Sequence, residues 1–178
     1  MIMDQPAGPD VRCSAVVFRE REVLLVRRVR EDGEDWVLPG GTPRPGESMA
    51  ACARRETFEE TGIAAEPGRI AFVLESRGPR SGLHTVDLVF LAAPAAPGQE
   101  PRSLERDLSA RFVSLDRLHE LDLRPPMAGH LRRLSTRRAR QTAAYLGNLW
   151  RPRRRADPMP VLLEFADEPA GGGPGHAW

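Results

Sequence analysis

Glu56, Glu59 and Glu60 follow one another at i, i+3 and i+4 in the run that ends at Thr61. At about 100° per residue they share roughly 100° of one helix face. Like charges this close repel, and a solvated helix ordinarily interleaves bases among them. Hard carboxylate oxygens on one face are the donors that Mg2+ or Mn2+ takes. The opposite stripe, Ala50, Ala53 and Thr57, is small and lets the helix lie close against a sheet. Taken alone, the three glutamates are weak evidence for a metal site, and an acidic surface is the plainer reading.

The surrounding pattern supplies a scaffold for that helix. Val11 to Phe18 and Val23 to Val29 are β-branched and aliphatic runs split by Arg19 to Glu22, which predicts a hairpin. A charged loop from Arg30 to Asp35 leads to a short strand, Trp36 to Leu38. Pro39 stops that strand, and a Gly/Pro loop follows to Gly46. Ser48 is suited to cap the helix N-terminus, and Gly62 to cap its end. Ile70 to Glu75 and Thr85 to Ala92 read as strands joined by a loop from Arg77 to Gly82. After a Pro/Gly link from Pro94 to Pro101, Arg111 to Ser114 reads as a last strand and Leu115 to Glu120 as a short helix. Ala128 to Leu146 is expected to form a longer helix, with Leu131, Leu134, Ala139 and Tyr145 among its apolar positions.

This divides the chain into an N-terminal extension (1–10), one mixed α/β domain (11–150) and a Pro/Gly/Arg-rich tail (151–178). In the tail, Val161 to Phe165 is the one segment suited to pair as a strand. The length of 178 residues suits a single core, and 40% apolar with 29% charged residues is a globular balance. No run approaches the ~18 apolar residues of a membrane helix, and Met1 to Asp10 lacks the pattern of a signal peptide, so a cytoplasmic enzyme is expected. The cysteines, Cys13 and Cys52, read as small buried hydrophobes rather than a disulfide. All basic residues are arginine, and the net charge of +1 makes no global case for nucleic acid.

Gly41, Glu47, Arg55-Glu56, Glu59-Glu60, Gly62 and Ile63 stand at the spacing G-x5-E-x7-R-E-U-x-E-E-x-G-U, where U is a bulky aliphatic. This resembles the Nudix box. Eight of its nine defined positions match over 23 residues, and the departure is Thr57, where an aliphatic is expected. Trp36-x-Leu38-Pro39-Gly40-Gly41 is similar to the family's approach to the box. The resemblance implies an α/β/α sandwich around a mixed sheet. It implies divalent cations held by Glu56, Glu59, Glu60 and the Gly40 carbonyl. Arg55 would orient a glutamate, and Glu47 would support the metal shell. The family varies in its general base. Glu59 or Glu60 is the first choice here, with Glu100, Glu105 and Asp107 as distal candidates.

Arg27 and Arg28 end the second strand, where relatives often carry a phosphate-binding arginine; exposed strand-end arginines are the plain alternative. Trp36 either stacks on a base or packs in the core. The implied reaction is metal-dependent hydrolysis of a phosphoanhydride in a nucleoside diphosphate derivative. Pro79, sixteen residues after Ile63, leans this towards ADP-ribose or a nucleotide sugar, ahead of a nucleoside triphosphate. Two alternatives stand: an RNA 5′-end pyrophosphohydrolase whose strand is guided by the helix arginines Arg132, Arg133, Arg137, Arg138 and Arg140 and by Arg151 to Arg155, and a non-catalytic ligand sensor. The resemblance also makes a homodimer plausible.

Overall fold

Alternation along the first strand sorts the core into two layers. In the computed structural model, which describes residues 8–31, 33–78, 84–103, 108–136 and 144–152, β1 runs from Asp10–Arg19. Cys13, Ala15 and Val17 face one side of it, while Ser14, Val16 and Phe18 face the other, as the two-residue period of a strand requires.

β2 (Glu22–Arg30), β3 (Gly33–Val37) and β4 (Gly40–Gly41) precede the helix α1 (Met49–Thr61). β5 (Ala65–Arg77), β6 (His84–Pro94) and β7 (Leu108–Ser114) follow, then a 3-10 turn at Leu115–Glu120, α2 (Ala128–Leu134) and β8 (Ala144–Asn148). The main path of the sheet is β3-β2-β1-β6-β5-β8, with β4 paired to β1 and β7 to β2. β1 runs parallel to β6 and β5 parallel to β8, whereas the other ladders are antiparallel, so the sheet is mixed.

α1 covers one face, where Cys52 and Ala53 meet Cys13 and Phe90. α2 and the 3-10 turn cover the other, where Leu131, Leu134, Leu115 and Leu118 meet Val16, Leu25, Leu74 and Val89. This is the expected α/β/α sandwich. Trp36 is 5% exposed and belongs to this second core. Its N–H donates to the Asp122 carbonyl, and its own carbonyl accepts from the Arg124 N–H.

The long C-terminal helix is a correction. Helix α2 stops at Leu134 instead of continuing to Leu146, and Ala144–Asn148 is a strand beside β5. Leu131 and Leu134 are its buried anchors, and the hydroxyls of Ser135 and Thr136 then donate to the carbonyls of Arg132 and Arg133. Such back-bonding competes with helix propagation. Tyr145, expected among the apolar positions, is 67% exposed and donates its hydroxyl to Glu75. Arg137, Arg138, Ala139, Arg140, Pro79, and Val161 to Phe165 lie outside the described residues. No helix among the described residues is long and apolar enough to cross a membrane.

Candidate active site

α1 begins where the Ser48 hydroxyl accepts the Ala51 N–H at 3.2 Å. It ends on Gly62 at φ 69°, a left-handed conformation that glycine adopts without the usual steric cost, with the Gly62 N–H on the Phe58 carbonyl. Ala53 and Thr57 are buried towards the sheet. The Thr57 hydroxyl, in place of the expected aliphatic, donates to the Ala53 carbonyl at 2.6 Å and so is not left unsatisfied in the core.

That orientation turns Glu56, Glu59 and Glu60 away from the buried face on the last two turns of the helix. Its carbonyl end there makes further negative charge unfavourable. Arg55 compensates. Its Nη1 donates to Glu56 at 2.5 Å and to Glu59 at 2.9 Å, while Nε and Nη2 each reach a Glu47 oxygen at 2.8 Å. The side chains of Arg55 and Glu47 are 16% and 14% exposed. The Arg55 hydrogen bonds, aided by the Arg44 N–H, pull Glu47 down from 4.5 to about 2. In return, chiefly through Glu47, Arg55 is held above the ordinary guanidinium range. Arg44, absent from the sequence reading, also donates to Glu59 at 3.3 Å.

Gly40 and Gly41 bring strand backbone against these carboxylates. The Gly40 N–H donates to Glu60 Oε2 at 2.9 Å. A β-carbon at Gly40 would stand 2.4 Å from the Cys13 carbonyl oxygen, and one at Gly41 would stand 2.4 Å from Glu56 Cδ. Both positions therefore require glycine for close approach. Among the described residues, no group of three His, Cys, Asp or Glu side chains is gathered as a ready-made cation cage, because guanidinium and amide donors engage the carboxylates. The donor set still fits a hard divalent cation: three carboxylates lie around Arg55, a fourth, Glu60, meets the Gly40 N–H, and two glycines leave room beside them. Glu56, Glu59 and Glu60 are the side chains that would hold it.

Beside this cluster, on the α2 side of the sheet, lies a cavity of about 190 Å³. Ser14, the β1 partner of Gly40, connects the two. The cavity's walls are Val37, Leu38, Leu74, Pro125 and Met127; its polar groups include Arg12, Arg28, Asp87 and Arg124. Asp87 is buried on β6, where its Oδ2 accepts the Ser14 hydroxyl at 2.8 Å and lies 3.7 Å from Arg12 Nε. Burial pushes the Asp87 carboxyl up, against the pull of Arg12 and Ser14. A neighbouring hollow shares Arg28 and Arg124 and adds Trp150, Arg151 and Pro152.

The remaining sequence candidates scatter. Arg28 lines the cavity, with Nε 2.7 Å from the buried Asp35, whereas Arg27 pairs with Glu34 on the neighbouring strand. Trp36 is placed in the core, the second of its two readings. Glu100 pairs with Arg19 at 3.0 Å, and Glu105 and Asp107 lie outside the described residues. Asp87 was missed, although an acid within the apolar run Thr85 to Ala92 was a visible signal.

Similar proteins share this frame. YjhB of Bacillus subtilis (strain 168), provisionally named an ADP-ribose pyrophosphatase, is 37% identical over 115 residues, 63% of this chain and 52% of its own. The human 8-oxo-dGDP phosphatase NUDT18 is 42% identical over 82 residues, 45% of this chain and 24% of its own. The chain thus spans about half or less of the length of these relatives. A NUDIX hydrolase from Nitrosomonas europaea superposes with a TM-score of 0.61 at 24% identity, covering 70% of this chain and 86% of that one. A MutT NUDIX hydrolase from Burkholderia pseudomallei gives 0.52 at 31% identity, covering 62% and 86%. The NUDIX domain itself matches residues 8–134, most of the described fold and all of the carboxylate cluster, and this chain belongs to that family.

Proposed function

We propose that this chain is a divalent-cation-dependent pyrophosphohydrolase that splits the phosphoanhydride of a nucleoside diphosphate derivative, with ADP-ribose or a nucleotide sugar as the favoured class. The observation that carries this is the set of carboxylates of Glu47, Glu56, Glu59 and Glu60 held between Arg55 and the Gly40–Gly41 backbone, next to an apolar-walled cavity. When bound, the cation neutralises diphosphate charge and acidifies water.

The residues of the chain do the rest. Arg55 fixes Glu47 and Glu56, so that carboxylate geometry is set before substrate arrives. Glu59 or Glu60 takes the proton of the attacking water. Arg28 stands at the cavity as the guanidinium placed to meet a phosphate. The provisional ADP-ribose pyrophosphatase name of YjhB and the diphosphate substrate in the name of NUDT18 support a diphosphate over a triphosphate.

The test is product release from ADP-ribose, nucleotide sugars, nucleoside triphosphates and 5′-triphosphate RNA, with Mg2+ present. Turnover of a diphosphate derivative that is lost in Glu60→Gln supports the reading. Turnover confined to triphosphate RNA, or tight binding without turnover of any member, would replace it with the RNA or sensor alternative.

A further inference from the structure

Asp87 carries an anomaly that the cluster of box glutamates does not explain. Its Oδ1 is buried and has no hydrogen-bond partner among the described residues, while Oδ2 is engaged by Ser14 and Arg12. A buried carboxylate oxygen without a donor costs free energy, and native structures seldom keep one without a use. Asp87 lines the cavity beside the carboxylate cluster.

The chemistry of that cavity narrows what completes Asp87. Its walls of Leu38, Leu74, Pro125 and Met127 suit the flat faces of a heteroaromatic ring. Three of the charged side chains that line it, Arg12, Arg28 and Arg124, offer only donors, and Asp87 is the one carboxylate among the described lining residues. A phosphate pushed against Asp87 would be repelled, so the anionic part of a ligand belongs on the Gly40 side. A ring that presents an N–H towards Asp87 supplies the missing donor, and its ring nitrogens or carbonyls find Arg124, which leaves Arg28 to the phosphate.

We infer that Asp87, held by Ser14 and Arg12, selects nucleotides whose base bears an exocyclic amino group, through its unpartnered Oδ1 in the apolar-walled cavity. The inference rests on the proposed function for the diphosphate and on the cavity alone for the base. It makes Asp87 a specificity residue rather than part of the hydrolytic step. Arg12 Nη2 also donates to the Leu38 carbonyl at 3.1 Å, so the group that holds Asp87 is itself anchored to the wall.

The experiment compares bases that differ at the amino position. Binding of ADP and IDP, GDP and IDP, and CDP and UDP to the full chain is measured by calorimetry, for the wild type and Asp87→Leu. Turnover of the matching diphosphate sugars is followed in parallel. In the wild type, one amino-bearing member is expected to bind roughly tenfold or more tightly than its partner, the worth of a hydrogen bond to a charged group. Asp87→Leu, which is close in volume but offers no acceptor, should bring that ratio close to one. The matched pairs identify whether adenine, guanine or cytosine is read.

Equal affinity within every pair of the wild type overturns the inference, and so does preference for the member without the amino group. A ratio that survives in Asp87→Leu overturns it as well. If that variant does not fold, the wild-type pairs decide. Base discrimination in binding without any turnover would remove the hydrolase reading and leave this one standing.

Discussion

The carboxylate of Glu56 occupies the space that a side chain at Gly41 would need: a β-carbon there would lie 2.4 Å from Cδ and 2.5 Å from Oε1 of Glu56. Gly41→Ala must therefore move either the strand backbone or the glutamate. Displacing a reacting group by about 1 Å costs on the order of 100-fold in rate. We expect Gly41→Ala to lose turnover by roughly that factor while its circular dichroism stays unchanged. Wild-type turnover in this variant would mean that Glu56 sits elsewhere in the working enzyme.

Glu60→Gln keeps an oxygen for the Gly40 N–H but removes the charge. Turnover is expected to fall at least ~100-fold, the range of a lost general base or cation-holding carboxylate, with the melting temperature close to wild type. EDTA should abolish activity and Mg2+ or Mn2+ restore it. Undiminished activity in EDTA would remove the cation from the mechanism.

The pairing of Glu47 with Arg55 predicts a signed pH effect. Its folded value near 2 lies below the ordinary 4.5, so its stabilising contribution is present above about pH 4.5 and is lost as pH falls towards 2. Thermal melts of wild type and Glu47→Gln should differ most at neutral pH and converge towards pH 2. A constant gap across that window would show that the difference has another source.

Cys13 and Cys52 are both buried, and burial pushes their thiols up, that of Cys52 to about 12. Thiolate is the reactive form, so both should resist alkylation in the folded protein. Mass spectrometry after iodoacetamide should show no adduct natively and two after denaturation. Rapid native labelling of either cysteine would mean that α1 opens from the sheet.

Thr57→Val tests the one departure from the box pattern. The hydroxyl bonds a carbonyl of its own helix, so its removal strands no distant partner. Stability should change by less than about 1 kcal/mol with activity retained, as read by denaturant melts. A loss of several kcal/mol would show that the hydroxyl supports more than the Ala53 carbonyl.

The box and its helix were legible because their determinants are local. Ser48, Gly62 and the glutamate spacing act within one short segment, and the structure caps α1 at both expected residues. Arg55 was expected to orient one glutamate, but it engages three, since Glu47 comes from the preceding loop. The cavity was not legible. Ser14, Leu74, Asp87 and Arg124 come from separated parts of the chain, and no spacing pattern joins them before the sheet forms. The misread helix has the same origin. Ala144 to Asn148 is a strand because β5 offers it an edge, a tertiary opportunity that local periodicity does not encode.

That edge pairing has a practical side for anyone handling the protein. β8 delivers Trp150, Arg151 and Pro152 to the hollow they share with Arg28 and Arg124. Arg124 Nη1 donates to the carbonyls of Arg151 and Pro152, at 2.8 Å and 3.2 Å. A fluorophore placed at Arg151 thus sits in a hollow that shares Arg28 and Arg124 with the cavity, and its emission should change when a ligand engages those arginines. Under the proposed function the same placement makes such a handle a poor neutral tag, because it stands beside Arg28 and Arg124, two of the groups that would meet the ligand.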